Sequence, residues 1–591
     1  LTIAALSRFS LAVQFWDGGQ MRQTQRNISL ILLGICGAIG AASEARAAGF
    51  EHPDNGTISL GRGGAYAAGV DEPSALYYNP AALTRLKRHK LTVNLNLTDQ
   101  KMVFDRQDYT FDEGGRDNKP RTWTFDPVEN EARLFPAPMY FEGSNLGMEN
   151  FGFAVGLYGP SSHGARKFPD SVGSEGPSAA SPTAVSKAGQ QYMIIDQSVL
   201  LVYPSVAAAY RFDPANLSLG LTLQAPMLSV DYNLAADGDG SQGASQGGTP
   251  YVCGDPENPP GAACFQSEEK WDLIAPNRLK TFGYNFTFIA GALWEPTQNW
   301  SIGASVRPEF DLHTKGEVDV QFPDGLSGIG LYMTDQAATL DTVMPTVVRL
   351  AVEYKQMDAD AMPGDRPDWS VEGDYVWEGW SAMDAFRVKL AGSISDVTCV
   401  DAARAPVAAE VSALSVTCPT GSTAQQLIGT RKLPNLNLYR NFEDAWSGRL
   451  GFEKRVAKSA GSETRLRAGG FYEKGATPKE WTNLDFISLN RIGLTVGGSY
   501  ILPWGSIDAA YAYMYSPTWT VTNGKYEALL PLEICAVPPT DPTSADYFVN
   551  GTTTPVSEAC LGRTVSVSHP VNNGTYDIGI QVLSLGTTLT F

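Results

Sequence analysis

Histidine is scarce in this chain, with five residues in 591. Seven cysteines occur, and no two of them form a CxxC pair. These shortages argue against a zinc centre, whose ligands are chiefly thiolates and imidazoles at short spacings. No Ser, His and Asp set stands out, so no enzyme activity and no cofactor is expected. Positive charge is also short: 44 Lys and Arg face 63 Asp and Glu, a net charge of −19. That balance argues against nucleic acid and against binding to an anionic lipid surface. After Ala47 no apolar run reaches the roughly 18 residues of a membrane-spanning helix. A β-barrel stays open, because its alternating strands give no hydropathy peak.

The front end sets the compartment. Residue 1 is Leu, and the first plausible start is Met21, so residues 1–20 read as a possible gene-model extension. Arg22 and Arg26 then precede an apolar stretch from Ile28 to Ala42, and Ala45-Arg46-Ala47 is a small-x-small cleavage site. Residues 21–47 are therefore expected to be a secretory signal peptide, with Ala48 as the new N-terminus. A retained membrane anchor is the weaker reading, because the apolar stretch is too short. Six cysteines remain after processing. Their proximity along the chain favours Cys253–Cys264, Cys399–Cys418 and Cys535–Cys560 as local disulfides in loops, in an oxidising compartment.

What the chain has in abundance is alternation. Leu217, Leu219, Leu221 and Leu223 alternate with Ser218, Gly220, Thr222 and Gln224. Phe282, Tyr284, Phe286 and Phe288 alternate with Gly283, Asn285 and Thr287, and the same rhythm returns along the chain. In the last strand Leu583, Leu585, Leu589 and Phe591 share one face, with Ser584, Gly586, Thr588 and Thr590 on the other. One apolar face and one small polar face suit a wall between lipid and a wet interior. Trp300, Trp369, Tyr354 and Tyr500 at strand ends suit interfacial girdles. Connections alternate between short ones, such as 213–216 and 502–504, and long ones, such as 234–279, 314–343 and 397–441. Fourteen strands are counted from about 89 to 591, an even number provided that 367–396 is one long strand rather than two broken near Gly379-Trp380-Ser381. The fold class is thus all-β: a 14-stranded antiparallel transmembrane β-barrel, residues 89–591, with long outer loops.

Residues 48–88 differ in character, with Gly-rich turns and short helical pieces. Asp71 is placed to cap Pro73–Tyr78, and Pro80 to end that piece. A plug inside the lumen and a periplasmic tail or lid both fit this block. Several charged residues point inward on this assignment: Arg349, Glu353, Glu372, Asp374, Arg449, Arg465 and Arg467. They read either as a lining that helps cargo or a plug to move, or as pairs across a polar lumen. His52 reads as a polar plug residue rather than a base.

The sequence resembles the outer-membrane long-chain fatty acid and aromatic hydrocarbon transporter family. The resemblance rests on AGF at Ala48–Phe50, LGRGGAYAAGVDEPSALYYNPAAL from Leu60, PTVVRLAVEY from Pro345 and DWSVEGDYVWEGWS from Asp368. It continues through NFEDAWSGRLGFE and LRAGGFYEKGATP between Asn441 and Pro478, and ends on the terminal strand. It implies a barrel plugged by an N-terminal hatch (48–88) in the outer membrane of a Gram-negative bacterium. Cargo would move from an outer groove to a pocket near the hatch and leave through a kink in one wall strand. Ala48, Gly49 and Phe50 would reach the pocket, Asn79, Pro80 and Ala81 would form the hatch motif, and Phe591 would carry the assembly signal. Pro160 and Pro226 are candidate sites of the kink. The expected partners are a hydrophobic small molecule, outer-membrane lipid and lipopolysaccharide, and the barrel-assembly machinery, with the protein itself a monomer. The function expected is passive uptake of hydrophobic compounds. A general porin, or a surface adhesin built on the long loops, is the alternative.

Overall fold

A computed structural model describes residue 52 and residues 55–112, 120–160, 164–169, 183–237, 274–320, 331–333, 335–358, 366–401, 422–432, 436–459, 461–526 and 570–591. Fourteen antiparallel staves form the wall. They are β1 (Lys90–Arg106), β2 (Leu134–Ser144), β3 (Phe151–Tyr158, resuming at Gly164–Lys167), β4 (Asp196–Phe212), β5 (Leu217–Gln224 and Met227–Asp237), β6 (Ile274–Tyr284 and Thr287–Thr297) and β7 (Trp300–Arg307 and Phe310–Val320). They continue as β8 (Ala337–Met344 and Val347–Gln356), β9 (Trp369–Glu378 and Ala385–Leu390), β10 (Leu436–Tyr439 and Ala445–Ser459), β11 (Ser462–Glu473), β12 (Arg491–Leu502), β13 (Gly505–Tyr515) and β14 (Gly574–Thr590). β14 pairs back onto β1 from Lys90↔Thr590 to Arg106↔Gly574, which closes the ring.

The segment 367–396 is one stave. A 3₁₀ turn at Trp380–Ala382 interrupts it, but both halves of β9 run between β8 and β10. The staves are taller than the sequence predicts. β7 continues to Val320 and β8 begins at Ala337, inside the segment expected to be the loop 314–343. Cys399 also departs from expectation: it lies in a strand, Ser393–Asp401, which pairs with Ser422–Lys432. The other five cysteines of the expected pairs, and the signal segment 21–47, lie outside the described residues.

The height of the staves explains a change of polarity along them. In β14 the even positions all face inward. Low in the barrel, near the terminal rim, these are Ser584 and Thr588, while Leu583 and Leu585 are exposed outward. Higher up, the inward positions are Tyr576, Ile578, Ile580 and Val582, all buried. β1 repeats this, with Thr92, Asn94 and Asn96 inward below and Met102 and Phe104 inward above. β4 and β5 place Val199, Leu201, Leu228 and Val230 inward in the same upper tier. The pleat is continuous, yet the inner face turns from polar to apolar. The lower tier is a membrane wall around a polar filling, and the upper tier has its own hydrophobic core.

Prolines mark the boundary between the tiers. β5, β7 and β8 are interrupted around Pro226, Pro308 and Pro345, and Pro204 of β4 stands beside the first of these. A proline cannot donate to the ladder, so it bends a stave there without ending it. Near the terminal rim Trp300, Tyr354, Trp369 and Phe452 form a chain of outward rings at successive centroid distances of 5.0, 5.5 and 6.3 Å. This is one expected interfacial girdle.

Inside the lower tier lies the N-terminal hatch. It contains α1 (Thr57–Gly61), α2 (Ala75–Tyr78) and a 3₁₀ turn at Pro80–Arg85. The expected cap at Asp71 is not made. Ser74 occupies the N-cap position of α2, and Asp71 instead meets the Tyr66 hydroxyl at 3.3 Å and Arg366 at 3.0 Å. The Arg366 guanidinium satisfies that carboxylate better than a four-residue helix would.

Candidate functional site

The hatch motif is pressed onto the wall. The Asn79 amide donates to the carbonyls of Ala67, 3.1 Å, and Ala292, 2.9 Å, while its oxygen accepts the Ala81 N–H at 3.2 Å. One side chain thus caps the 3₁₀ turn, holds the preceding hatch segment and grips β6. Pro80 stands at the first position of that turn, where a missing N–H costs nothing. The wall approaches closely because it carries glycine here. A Cβ on Gly291 would lie 2.3 Å from the Asn79 oxygen, and one on Gly220 would lie 2.4 Å from the Ala81 nitrogen. The small inner face of the strands is therefore a contact surface. Thr222 and Ser305 complete it by donating to the carbonyls of Leu76 and Tyr78, each at 2.7 Å.

On the opposite flank the wall holds the hatch by charge. Glu372 and Asp374 of β9 project into the lower tier. Asp374 accepts the N–H groups of Tyr66 and Ala67 at 3.0 and 3.1 Å, and Glu372 accepts those of Ala68 and Gly69 at 2.6 and 3.1 Å. The Arg62 guanidinium bonds to Glu372 at 2.7 Å and reaches Glu353 at 3.4 Å. Arg85 binds Glu295 of β6 at 2.8 Å. Most of the inward charges thus serve the hatch or one another: Arg465 meets Glu453 at 2.8 Å, Arg467 donates to Glu453 at 2.5 Å, and Arg449 donates to Ser447. Arg349 lies over the Tyr77 ring at 4.5 Å.

Two hatch carboxyls sit side by side and titrate in opposite directions. Burial alone would raise Asp71, but Arg366 and Lys90 outweigh it and hold Asp71 well below the ordinary carboxylate range. Burial pushes Glu72 up to about 7, and Asp508 adds to the rise, while the Ser74 hydroxyl, donating at 2.8 Å, opposes it.

Above the hatch lies a floor of rings. Tyr77 meets Tyr158 edge-on at 5.4 Å, and Tyr158 stacks on Tyr203 at 5.7 Å. Arg307 lies over Tyr203 at 5.6 Å. The upper tier holds an apolar chamber whose free volume is about 40 Å³. Val199, Leu228, Val230, Leu340, Phe386 and Phe486 are among its walls. The apolar lining suits a hydrophobic ligand. A strap of residues 474–490, between β11 and β12, folds inward and supplies Asp485 and Phe486 to the lining.

The sequence profile of the outer membrane protein transport protein family (OMPP1/FadL/TodX) matches residues 38–531. The chain belongs to this family. It is an outer-membrane transport protein of a Gram-negative bacterium. Among solved structures, a Pseudomonas aeruginosa FadL homologue is similar at 16% identity and a TM-score of 0.59, covering 92% of this chain and 100% of that one. The Ralstonia pickettii toluene transporter TbuX aligns at 15% identity and a TM-score of 0.47, covering 91% and 98%. No curated protein matches.

Within this transport-family barrel the wall has an incomplete seam between β2 and β3. β2 pairs with β1 from Leu134 to Gly143, but with β3 only from Tyr140↔Leu157 to Ser144↔Phe153. Beyond Tyr158, β3 breaks at Gly159-Pro160 and resumes at Gly164 against β4 alone. Pro136 and Pro138 of β2 have no N–H to offer along this stretch. The Phe135 ring packs against Gly164, where a Cβ would come within 2.6 Å of it. Of the two prolines singled out in the sequence, Pro160 stands at this seam. Pro226 interrupts β5 in mid-stave, where both neighbours keep their register.

Asn79, Pro80 and Ala81 come together in the hatch contact. Ala48, Gly49 and Phe50 lie outside the described residues. Phe591 stands at the terminal rim, 69% exposed, its N–H donating to the His89 carbonyl at 2.9 Å. Sequence reasoning missed the strap. Its signal was a connection unusually rich in large apolar residues: Trp481, Leu484, Phe486, Ile487 and Leu489.

Proposed function

We propose that hydrophobic compounds are held in the upper chamber, pass the tyrosine floor when the hatch yields, and leave sideways through the seam between β2 and β3. The observation that carries this reading is the coincidence of an apolar chamber, a hatch clamped by replaceable polar contacts, and a wall seam beside the floor. Burial supplies affinity, on the order of 0.8 kcal/mol per methylene. Direction comes from the concentration gradient. Asn79, Pro80 and Ala81 couple the hatch to the wall, and Ala48, Gly49 and Phe50 reach toward the cargo. The local disulfides Cys253–Cys264, Cys399–Cys418 and Cys535–Cys560 brace the outer connections. A single chain closes the ring, which supports a monomer that meets outer-membrane lipid and lipopolysaccharide on its outer face and is assembled by the barrel-assembly machinery.

Immobilising the hatch tests the mechanism. The Thr84 and Ser218 hydroxyl oxygens are 2.9 Å apart, so cysteines at both positions are within disulfide reach. The oxidised double variant should lose uptake of a radiolabelled hydrophobic compound in cells, and reductant should restore it. Undiminished uptake by the oxidised protein would reject the hatch step.

A further inference from the structure

Asp485 is an unexpected residue to find in the wall of an apolar chamber. Its side chain is 1% exposed, as is that of its partner Arg440. The Arg440 Nη2 binds the Asp485 Oδ2, and the Tyr232 hydroxyl stands 3.2 Å from the same oxygen. The other carboxylate oxygen accepts the Phe486 N–H at 2.6 Å. Both terminal nitrogens of Arg440 are engaged, Nη2 by Asp485 and Nη1 by the Tyr439 carbonyl, at 2.9 Å, and the Tyr526 hydroxyl, while its buried Nε has no bond. Arg166 is the next cation near the strap. It donates to the main-chain carbonyls of Leu484, at 2.8 Å, and Asp485. Among the described residues, no Lys, Arg or His lines the chamber. The floor arginines, Arg307 and Arg349, lie over the rings of Tyr203 and Tyr77 and are not part of the lining.

We propose that the chamber admits uncharged hydrophobic compounds and disfavours carboxylates, and that Asp485 is the residue that sets this choice. The inference rests on the transport reading above and narrows its substrate class. A carboxylate entering the chamber loses its water and meets no cation to replace it. It also stands beside a second carboxylate, with which Arg440 is already paired, while Arg166 is held by main-chain carbonyls. An alcohol, alkane or arene brings no such cost. Strap and selection are therefore one device: the ion pair that holds Asp485 inward also neutralises the nearest cation.

The test compares radiolabelled dodecanol with dodecanoate, at a pH where dodecanoate is ionised. Binding is measured to the full chain in nanodiscs and corrected for partition into empty nanodiscs. The wild-type protein should bind dodecanol at least about tenfold more tightly. Asp485→Asn, which frees the Arg440 charge while keeping the shape, should tighten dodecanoate and bring the two within about threefold. Equal binding of both ligands by the wild-type protein overturns the selection, whether or not the variant folds. An unchanged ratio in a folded variant overturns the role of Asp485. Binding of neither ligand overturns the transport reading itself, and the selection with it.

Discussion

Arg62 of the hatch and Glu372 of β9 form a buried ion pair of 2.7 Å that links the plug to the wall. Both side chains are at most 3% exposed, and Glu353 stands 3.4 Å from the same guanidinium. Removing one partner of such a pair costs about 3–5 kcal/mol, because the other charge stays buried alone. Arg62→Met should therefore loosen the hatch and leave the barrel assembled. Planar-bilayer recordings should show open bursts that the wild-type protein lacks, while the variant keeps its folded-barrel mobility on unheated gels. A silent channel with normal uptake would show that this pair does not hold the gate.

The glycine contacts give a second prediction with a different cause. Gly291→Ala places a methyl group about where the Asn79 oxygen lies, at a separation of 2.3 Å for an ideal Cβ. Overpacking of this kind costs about 1–3 kcal/mol. The hatch motif, which is not part of the wall's hydrogen-bonded ladder, should move rather than the wall. Protease cleavage within 55–86 should quicken in the variant, and the barrel melting transition should change little. A fall in barrel stability with a protected hatch would mean that the wall had yielded instead.

Glu72 should make hatch docking depend on pH. Its carboxyl rises from an ordinary value of 4.5 to about 7 in the docked state, so docking favours the protonated form. That contribution is complete below the free value. It is lost as pH rises through about 7, and it amounts to roughly 3 kcal/mol for a shift of this size. The hatch should therefore open more readily at pH 8 than at pH 5. Glu72→Gln should remove most of this dependence, because the amide stays uncharged. Asp71, already ionised beside Arg366, should contribute little over the same range. Identical channel opening at the two pH values would reject the assignment.

The sequence shows the membrane wall plainly because lipid imposes a strict alternation there. Leu219, Leu221 and Leu223 face outward as their period predicts. It hides the upper tier for a physical reason. In β14, Tyr576, Ile578 and Ile580 keep the same pleat, but the inside is now the apolar side. Alternation is symmetrical, so it marks two faces without saying which one meets solvent. The site is legible in part. The Asn79-Pro80-Ala81 stretch stood out, and Glu372 and Asp374 were placed inward, but their partners are backbone N–H groups that carry no residue signature. Asp485 escaped notice because its meaning depends on Arg440, which the break within β10 brings to it.

The terminal residue yields the last prediction. Phe591 is 69% exposed, its ring is 5.5 Å from His89, and its one main-chain bond is to the His89 carbonyl. Seventeen register pairs already join β14 to β1, from Lys90↔Thr590 upward, so one more bond adds little to the finished barrel. Deleting Phe591 should cost no more than about 1 kcal/mol of folded stability. If the residue serves as a signal read during insertion, the effect should instead be kinetic. Outer-membrane yield should fall several-fold in cells, while the truncated protein refolded in detergent should melt as the full chain does. Normal yield in cells would remove the signal role. An equal loss in detergent would show that Phe591 matters for closing the ring rather than for delivering it.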